Sequence, residues 1–156
     1  MEVSARRAAA ADATEVVALL REARGAVDGE RGGEQWLATD APPDPTAAHL
    51  GDDGGRHWYL GCIDEVPVGV AAATPVRWDD GRTVLRIDVM FVVAGAREVG
   101  VGEALVDAVF DAARNDGAAA VESLALPGQR ELKNLYERVG LVARAIVAHK
   151  PLGPPS

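Results

Sequence analysis

Two spacings of apolar residues alternate along the chain. Between Asp12 and Arg24, Val16, Leu19, Leu20 and Ala23 fall on one face of a helix. Asp12 stands where an N-cap belongs, and Glu15 three residues on completes a capping-box pair. A second stripe, Val101, Ala104, Leu105, Ala108, Val109 and Ala112, recurs at i, i+3, i+4, i+7, i+8 and i+11, with Glu103, Asp107, Asp111 and Arg114 off it. A third, Leu132, Leu135, Tyr136 and Val139, predicts a helix from Arg130 to Val139 that Gly140 stops. Between these lie three β-rich runs: HWYLGCID from His57, then VPVGVAAATPVRW, then TVLRIDVMFVV. Their joins, Asp64-Glu65 and Asp79-Asp80-Gly81, are of hairpin length, so the three strands are expected as antiparallel neighbours.

Further strands are predicted at Val3 to Ala10 and Ala119 to Leu126, and Leu141 to Lys150 reads as a final strand or hairpin before a frayed tail at 151–156. Gly25 to Gly55 is irregular, with GERGGEQWL, APPDP and GDDGG all rich in turn residues. One short helix around Glu34 to Thr39 fits inside it. Trp36 and Leu37 need somewhere to pack, so the region through Arg56 is expected to form a partly helical lid. The order β-α-(α)-β-β-β-α-β-α-β specifies an α/β (α+β) class: a mixed, mostly antiparallel central sheet flanked by helices, in one domain over 1–156.

Composition narrows the function. With 48% hydrophobic and 26% charged residues the chain is globular in type. Its net charge is -8, and Lys133 and Lys150 are its only lysines, so no nucleic-acid partner is expected. No apolar run reaches the roughly 18 residues of a membrane span, and the alanine-rich start, interrupted by Asp12 and Glu15, lacks a leader's apolar core. No membrane partner and a cytoplasmic location are the expectations. Cys62 is the only cysteine, so no intramolecular disulfide or cysteine metal cage can form. Among His49, His57 and His149 no two have metal-ligand spacing, and no metal is expected.

The helix of the second stripe begins oddly, with Arg97 followed by Gly100 and Gly102. Glycine costs roughly 1 kcal/mol against alanine inside a helix. Two readings fit. One is a glycine-rich turn without a ligand. The other is an anion site, because a helix start carries free N–H groups and partial positive charge. Bare glycines let a phosphate approach them, and Arg97 adds a permanent planar cation. The chain lacks the Gly-Lys-Ser/Thr of a P-loop, and Leu105 stands where GxGxxG needs its last glycine. The position after antiparallel hairpins does not suit a Rossmann start.

Arg97-x-x-Gly100-x-Gly102 between a strand and an amphipathic helix resembles the Arg/Gln-x-x-Gly-x-Gly/Ala signature of the GNAT acyl-CoA N-acyltransferases. LKNLYERVGL resembles that family's Leu-Tyr-Glu-x-x-Gly-Phe helix, RRAAAADATEVVALL its first strand and helix, and CIDEVPVGVAA its second hairpin. The resemblance spans nearly the whole chain outside Gly25 to Arg56. Gln129 stands where the family often has Asn, and Leu141 where it usually has Phe.

The resemblance implies a GNAT-like fold, acetyl-CoA as cosubstrate, and a primary amine, small molecule or peptide N-terminus, that attacks directly. Direct acyl transfer demands loss of the amine proton, donors for the developing oxyanion, and a proton for the leaving thiolate. The diphosphate of coenzyme A is expected on the N–H groups of Val99, Gly100, Val101, Gly102 and Glu103, beside Arg97 and Glu98. The pantetheine arm is expected along Met90, Phe91, Val92 and Val93, with Val92 N–H as oxyanion donor. Gln129 and Lys133 complete the expected cofactor contacts.

Tyr136 is the candidate acid, a phenol titrating near 10 set against a thiol near 8.5; its apolar stripe equally suits plain core packing. Asp88, in IDVM with Arg86 and Met90 expected on its face, and Glu122, in AVESLAL, are the candidate bases: a carboxylate between apolar neighbours is poised for that work. Pairing with Arg86, or proton removal by water, remains the other reading of both. The lid acids Asp28, Glu30, Glu34, Asp40, Asp44, Asp52 and Asp53 suit a cationic acceptor or an ordinary solvated loop. Trp36 is placed as packing or as a wall of the acceptor site. A non-catalytic acyl-CoA-binding module on the same fold is the alternative function. Such proteins often form homodimers, but no sequence feature here sets the oligomeric state.

Overall fold

A computed structural model describes residues 1–51 and 55–154. Its strands are β1 (Val3–Arg7), β2 (His57–Ile63), β3 (Val66–Arg77), β4 (Thr83–Val92) and β5 (Ala120–Ser123). They form one sheet in the order β1-β2-β3-β4-β5. Every pair is antiparallel except β4 with β5, which is parallel. The helices are α1 (Ala13–Ala26), α2 (Gly33–Thr39), α3 (Ala47–Gly51), α4 (Val101–Asn115) and α5 (Arg130–Arg138). The expected mixed, mostly antiparallel sheet with flanking helices is therefore present, and both hairpins join the expected strands.

The sheet separates two cores. On one face Val16, Leu19, Leu20 and Ala23 of α1 meet Leu60, Val70, Ala72 and Val89, with Trp36 and Trp58 beside them. On the other, Val101, Leu105, Val106 and Val109 of α4 meet Tyr59, Ala71, Ala73, Leu85 and Ile87, and Leu135 and Tyr136 of α5 join them. The run Val70 to Ala73 is fully buried, and its small side chains let helices approach both faces. Gly61 and Gly69 lie opposite one another in the β2–β3 register. A Cβ on Gly61 would sit 2.6 Å from Val101 Cγ1, and one on Gly69 3.2 Å from Leu105 Cδ1. Side chains there would push the start of α4 off the sheet.

One irregularity positions the site. Ala72 faces Val89 while Ala73 faces Ile87, so Asp88 has no partner across the ladder and β4 carries a one-residue bulge. The bulge inverts the alternation of side chains. Leu85 and Ile87 before it, and Met90 and Val92 after it, all pack with α4 and α5, whereas Val89, Phe91 and Val93 pack with α1. The expectation that Met90 shares the face of Asp88 assumed an unbroken strand and is corrected.

Other expectations shift. Asp12 makes no side-chain cap on α1. Its carboxylate instead accepts the Ala9 N–H at 2.8 Å and pairs with Arg6 at 2.7 Å, because a 3-10 turn over Ala10–Asp12 precedes the helix. The lid holds a second short helix, α3, with no strong apolar period to announce it. The fifth strand stops at Ser123 rather than Leu126. Leu141 to Lys150, expected as a strand or hairpin, carries no secondary structure, and its residues from Val142 onward are exposed. Strand composition alone does not make a strand, because the preference depends on what the side chains pack against. The lid acids Asp52 and Asp53, and the last two residues of the expected tail, lie outside the described residues.

Candidate active site

β4 and β5 stay paired only from Val84 with Ala120 to Ile87 with Ser123. Beyond that point they part, and a cleft of about 590 Å³ opens between the last residues of β4 and the chain after β5. That volume is ordinary for a site holding one small molecule. Main-chain direction on β4 follows from one bond. Val93 N–H donates to Val68 C=O at 2.9 Å, toward β3. Backbone groups alternate sides along a strand, so the N–H and C=O of Val92 turn the other way, into the cleft. The guanidinium of Arg97 confirms the direction: its Nε donates to Val92 C=O at 2.9 Å. The same side chain reaches Glu131 at 3.4 Å and lies 5.9 Å from the centre of the Phe91 ring.

The two glycines after Arg97 answer to different causes. The chain leaves β4 through a 3-10 turn at Ala94–Ala96, and Glu98 takes the left-handed conformation at φ 68°. Gly100 follows at φ 98° as the residue before α4. A Cβ there would meet nothing within 4 Å. Gly100 is thus required by its dihedral angle and leaves open space on the cleft side. Gly102 is required by packing, since its Cβ would lie 2.8 Å from Leu135 Cδ2 on α5. The ligand-free reading accounts for both glycines, Gly100 by its dihedral angle and Gly102 by packing, and the anion-site reading rests on the open space at Gly100 beside the cleft.

The first helical bond of α4 runs from Ala104 N–H to Gly100 C=O at 3.0 Å. The N–H groups of Val101, Gly102 and Glu103 therefore point out of the helix end, where its dipole is positive. Glu103 would oppose an anion there, but Arg138 of α5 holds its carboxylate at 2.7 Å and keeps the carboxyl below its usual range. Val101 is buried against the sheet, and Val99 is exposed at the rim. The side chains of this turn leave its backbone open to the cleft.

Tyr136 is 7% exposed, and burial pushes its phenol up to about 12 against the pull of a hydrogen bond from Ser123. Ser123 Oγ donates to the phenol oxygen at 2.6 Å, leaving the phenol proton to point into the cleft that both residues line. Transfer of that proton to a free thiolate near 8.5 runs uphill by roughly 3 to 4 units. The group is therefore a neutral hydrogen-bond donor at every working pH. Sequence reasoning missed Ser123. The signal was its position two residues after Val121, which puts both on the side of the sheet that faces α5.

Asp88 is not the isolated carboxylate the pattern suggested. Its side chain is 1% exposed and accepts from Thr74 Oγ1 and from Arg56 Nε at 3.1 Å, with Arg86 Nε 3.5 Å from its other oxygen. Both oxygens are committed to cations or a hydroxyl, so the residue anchors β2, β3 and the bulge of β4 together. Glu122 is exposed, sits opposite Arg86 in the parallel register and does not line the cleft, which removes the geometric basis for its role as a base. Gln129 lines the cleft, but its Oε1 accepts the Leu126 N–H at 2.8 Å. Lys133 donates to Pro127 C=O at 2.9 Å and lies off the cleft wall. These two brace the turn into α5.

The lid closes the other side. Trp36 is buried in the α1 core and also lines the cleft, and Glu30 lines it beside Gly128. Of the lid acids, Asp44 is consumed by Arg24 at 2.6 Å and Arg21 at 3.2 Å. Cys62 is buried, and burial pushes its thiol up, away from reactivity.

The site is thus a mixed sheet that splays beside an open helix start, with a buried phenol facing the gap. Residues 16–141 match the model of the acetyltransferase (GNAT) family, and the chain belongs to that family. It is an acyltransferase with N-acetyltransferase activity, and the family typically uses acetyl-CoA as cosubstrate. No curated protein sequence matches it. Among solved structures it is similar to a ribosomal-protein-alanine N-acetyltransferase from Brucella melitensis biovar Abortus 2308, with TM-score 0.73, 19% identity, and 97% of this chain and 100% of that one covered. It is similar also to an aminoglycoside acetyltransferase from an uncultured soil metagenomic sample, with TM-score 0.73, 16% identity, and 98% and 100% covered. A transcriptional regulator from Bacillus halodurans C-125 shares the fold at TM-score 0.68 and 19% identity, with 96% and 100% covered. Among the described residues no helix is long and apolar enough to cross a membrane.

Proposed function

We propose that this chain, as a single catalytic domain, transfers an acetyl group from acetyl-CoA to a primary amine held on the lid side of the cleft. The observation that carries the reading is the parting of β4 and β5 after Ile87 and Ser123, which brings Val92 N–H, the open turn at Gly100 and the Tyr136 hydroxyl to one gap. Bound acetyl-CoA supplies the activated thioester. The N–H groups of Val101, Gly102 and Glu103, with Arg97 beside them, hold its diphosphate. Val92 N–H, fixed in the strand before any charge appears, donates to the oxygen on which negative charge develops. Tyr136 donates to the leaving sulfur. Because full transfer to a free thiolate is uphill, Tyr136 keeps its proton and donates a hydrogen bond to the sulfur as the carbon–sulfur bond breaks, while the amine loses its proton to solvent and the thiolate leaves as such or takes a proton from solvent.

The acceptor enters between α1, α2 and the bulge of β4. Glu30 supplies a carboxylate on that wall, which suits an acceptor that arrives as an ammonium ion. Trp36 supplies a flat apolar surface beside it. The test is a panel of amines (aminoglycosides, polyamines, amino acids and peptide N-termini) incubated with acetyl-CoA while free thiol is measured. Amine-dependent release that falls on Tyr136→Phe supports the assignment. Binding of acetyl-CoA with no release across the panel overturns the catalytic part of it.

A further inference from the structure

Two arginines converge on one buried carboxylate beside the cleft, and neither is used up there. Arg56, the last residue of the lid, stands just before β2. Its Nε donates to Asp88 Oδ2 at 3.1 Å and to Thr74 Oγ1 at 3.3 Å. Among the described residues nothing accepts from its two terminal nitrogens, and its side chain is 32% exposed. Arg86 reaches the other oxygen of Asp88 only at 3.5 Å and is 48% exposed. Glu122 lies beside Arg86 in the parallel register, yet no ion pair among the described residues joins the two. Two guanidiniums on one carboxylate leave a cationic surplus, on a protein of net charge -8.

The surplus lies on the acceptor side of the sheet. Trp58 and Ala72 pack with α1 and Trp36. Arg56 and Thr74 stand two residues from them along the chain, so they share that face. Asp88 itself lines the cleft. With Nε tied to Asp88 and Thr74, the plane of the Arg56 guanidinium is fixed and its terminal nitrogens form a two-pronged donor edge. That shape matches a carboxylate. Asp88 comes four residues before Val92, roughly 13 Å along a strand. An anion held at Arg56 is therefore several bonds from an amine placed at Val92 N–H.

We propose that Arg56, backed by Arg86, binds a carboxylate of the acceptor, so that the amine acetylated here belongs to a molecule that also carries an anionic group several bonds away, as a short peptide does. Asp88 and Thr74 are then positioning residues that hold the guanidinium ready. Glu30 on the cleft wall supplies the opposite sign for the arriving ammonium. Polyamines and aminoglycosides, which carry no carboxylate, are disfavoured by the same surplus. The inference rests on the catalytic reading for the position of the amine, but the anion site is read by binding alone.

Calorimetric titration of triglycine and of its C-terminal amide into the protein saturated with coenzyme A tests it. Triglycine is expected to bind about tenfold tighter or more. Glycine and glycinamide, whose amine and carboxyl carbon are too close to span the site, should differ by less than about threefold. Arg56→Gln should abolish the triglycine preference and Arg86→Gln should reduce it. Arg56→Lys keeps a positive charge beside Asp88 but loses the two-pronged grip, and should leave an intermediate preference in a protein that still melts cooperatively. In turnover the preference should appear as a lower KM for triglycine, with little difference in kcat. Equal affinity for the two peptides, or failure of both to bind, overturns the proposal. So does a preference that survives both Arg56→Gln and Arg86→Gln, which leaves the arginines as anchors of the sheet alone. Preferential binding of triglycine with no thiol released by any amine supports the anion site and refutes the catalytic reading; thiol release without the preference does the reverse.

Discussion

Replacing Gly100 and Gly102 separately by alanine distinguishes a ligand-facing glycine from a packing one. At Gly102 the new Cβ would stand 2.8 Å from Leu135 Cδ2. Ordinary carbon contact lies at about 3.5 to 4.0 Å, so the leucine or α5 must yield by roughly 1 Å. Overpacking of that kind costs about 1 to 3 kcal/mol, and alanine returns about 1 kcal/mol of helix propensity. The net loss is about 1 kcal/mol, a fall in Tm of roughly 2 to 4 °C for a domain of this size. At Gly100 the new Cβ meets no protein atom within 4 Å, but φ is 98°. A left-handed alanine costs about 1 to 2 kcal/mol, so Tm falls to a similar degree. Binding separates the two. The Gly100 methyl projects into the space proposed for the diphosphate, and the acetyl-CoA Kd should rise about tenfold, or 1.4 kcal/mol. Gly102→Ala should change Kd by less than about threefold, and combining it with Leu135→Ala should cost less stability than the two single losses added together. Calorimetric titration with acetyl-CoA and thermal melts of each variant read these quantities. Unchanged affinity in Gly100→Ala, or additive stabilities in the Gly102–Leu135 pair, would refute the assignment of roles.

Tyr136→Phe should lower turnover by about a hundredfold with little change in acetyl-CoA affinity, and cost no more than about 1 kcal/mol for the lost Ser123 bond, measured by steady-state kinetics and denaturant melts. With the phenol raised to about 12 in the fold from an ordinary 10.0, the native state holds the proton more tightly than the unfolded chain. Stability should be flat below about pH 10 and fall by roughly 3 kcal/mol between about pH 10 and 12, a decline that alkaline melts of Tyr136→Phe should lack. Asp12 behaves in the opposite sense: Arg6, with help from the Ala9 N–H, lowers its carboxyl from 3.8 to about 2. Its contribution is complete above about pH 4 and lost toward pH 2, so acid titration of Asp12→Asn should show a shallower loss. Asp88→Asn leaves Arg56 and Arg86 without a counter-charge and should cost about 2 kcal/mol, yet leave the pH dependence of turnover in place. Loss of that dependence would restore Asp88 as the base.

Much of the fold was legible because it depends on local period. The stripe from Val101 to Ala112, the two hairpin turns and the stop at Gly140 each name an element whose main cause lies within a few residues. So was the neighbourhood of the site, since Arg97, Gly100 and Gly102 stand at a strand-to-helix join that can be read from spacing. Other features depend on what lies across the sheet. The bulge at Asp88 exists because Ala72 and Ala73 pair with Val89 and Ile87, and nothing in IDVM reports that register. Asp88 is paired rather than isolated because Arg56, thirty-two positions away, reaches it from just before β2. Gly102 owes its identity to Leu135 on another helix. Leu141 to Lys150 has the composition of a strand, yet it pairs with no strand among the described residues. Periodicity determines which face of an element is apolar. Only the assembled structure determines what that face meets, because pairing register and charge neutralisation join residues far apart in the chain.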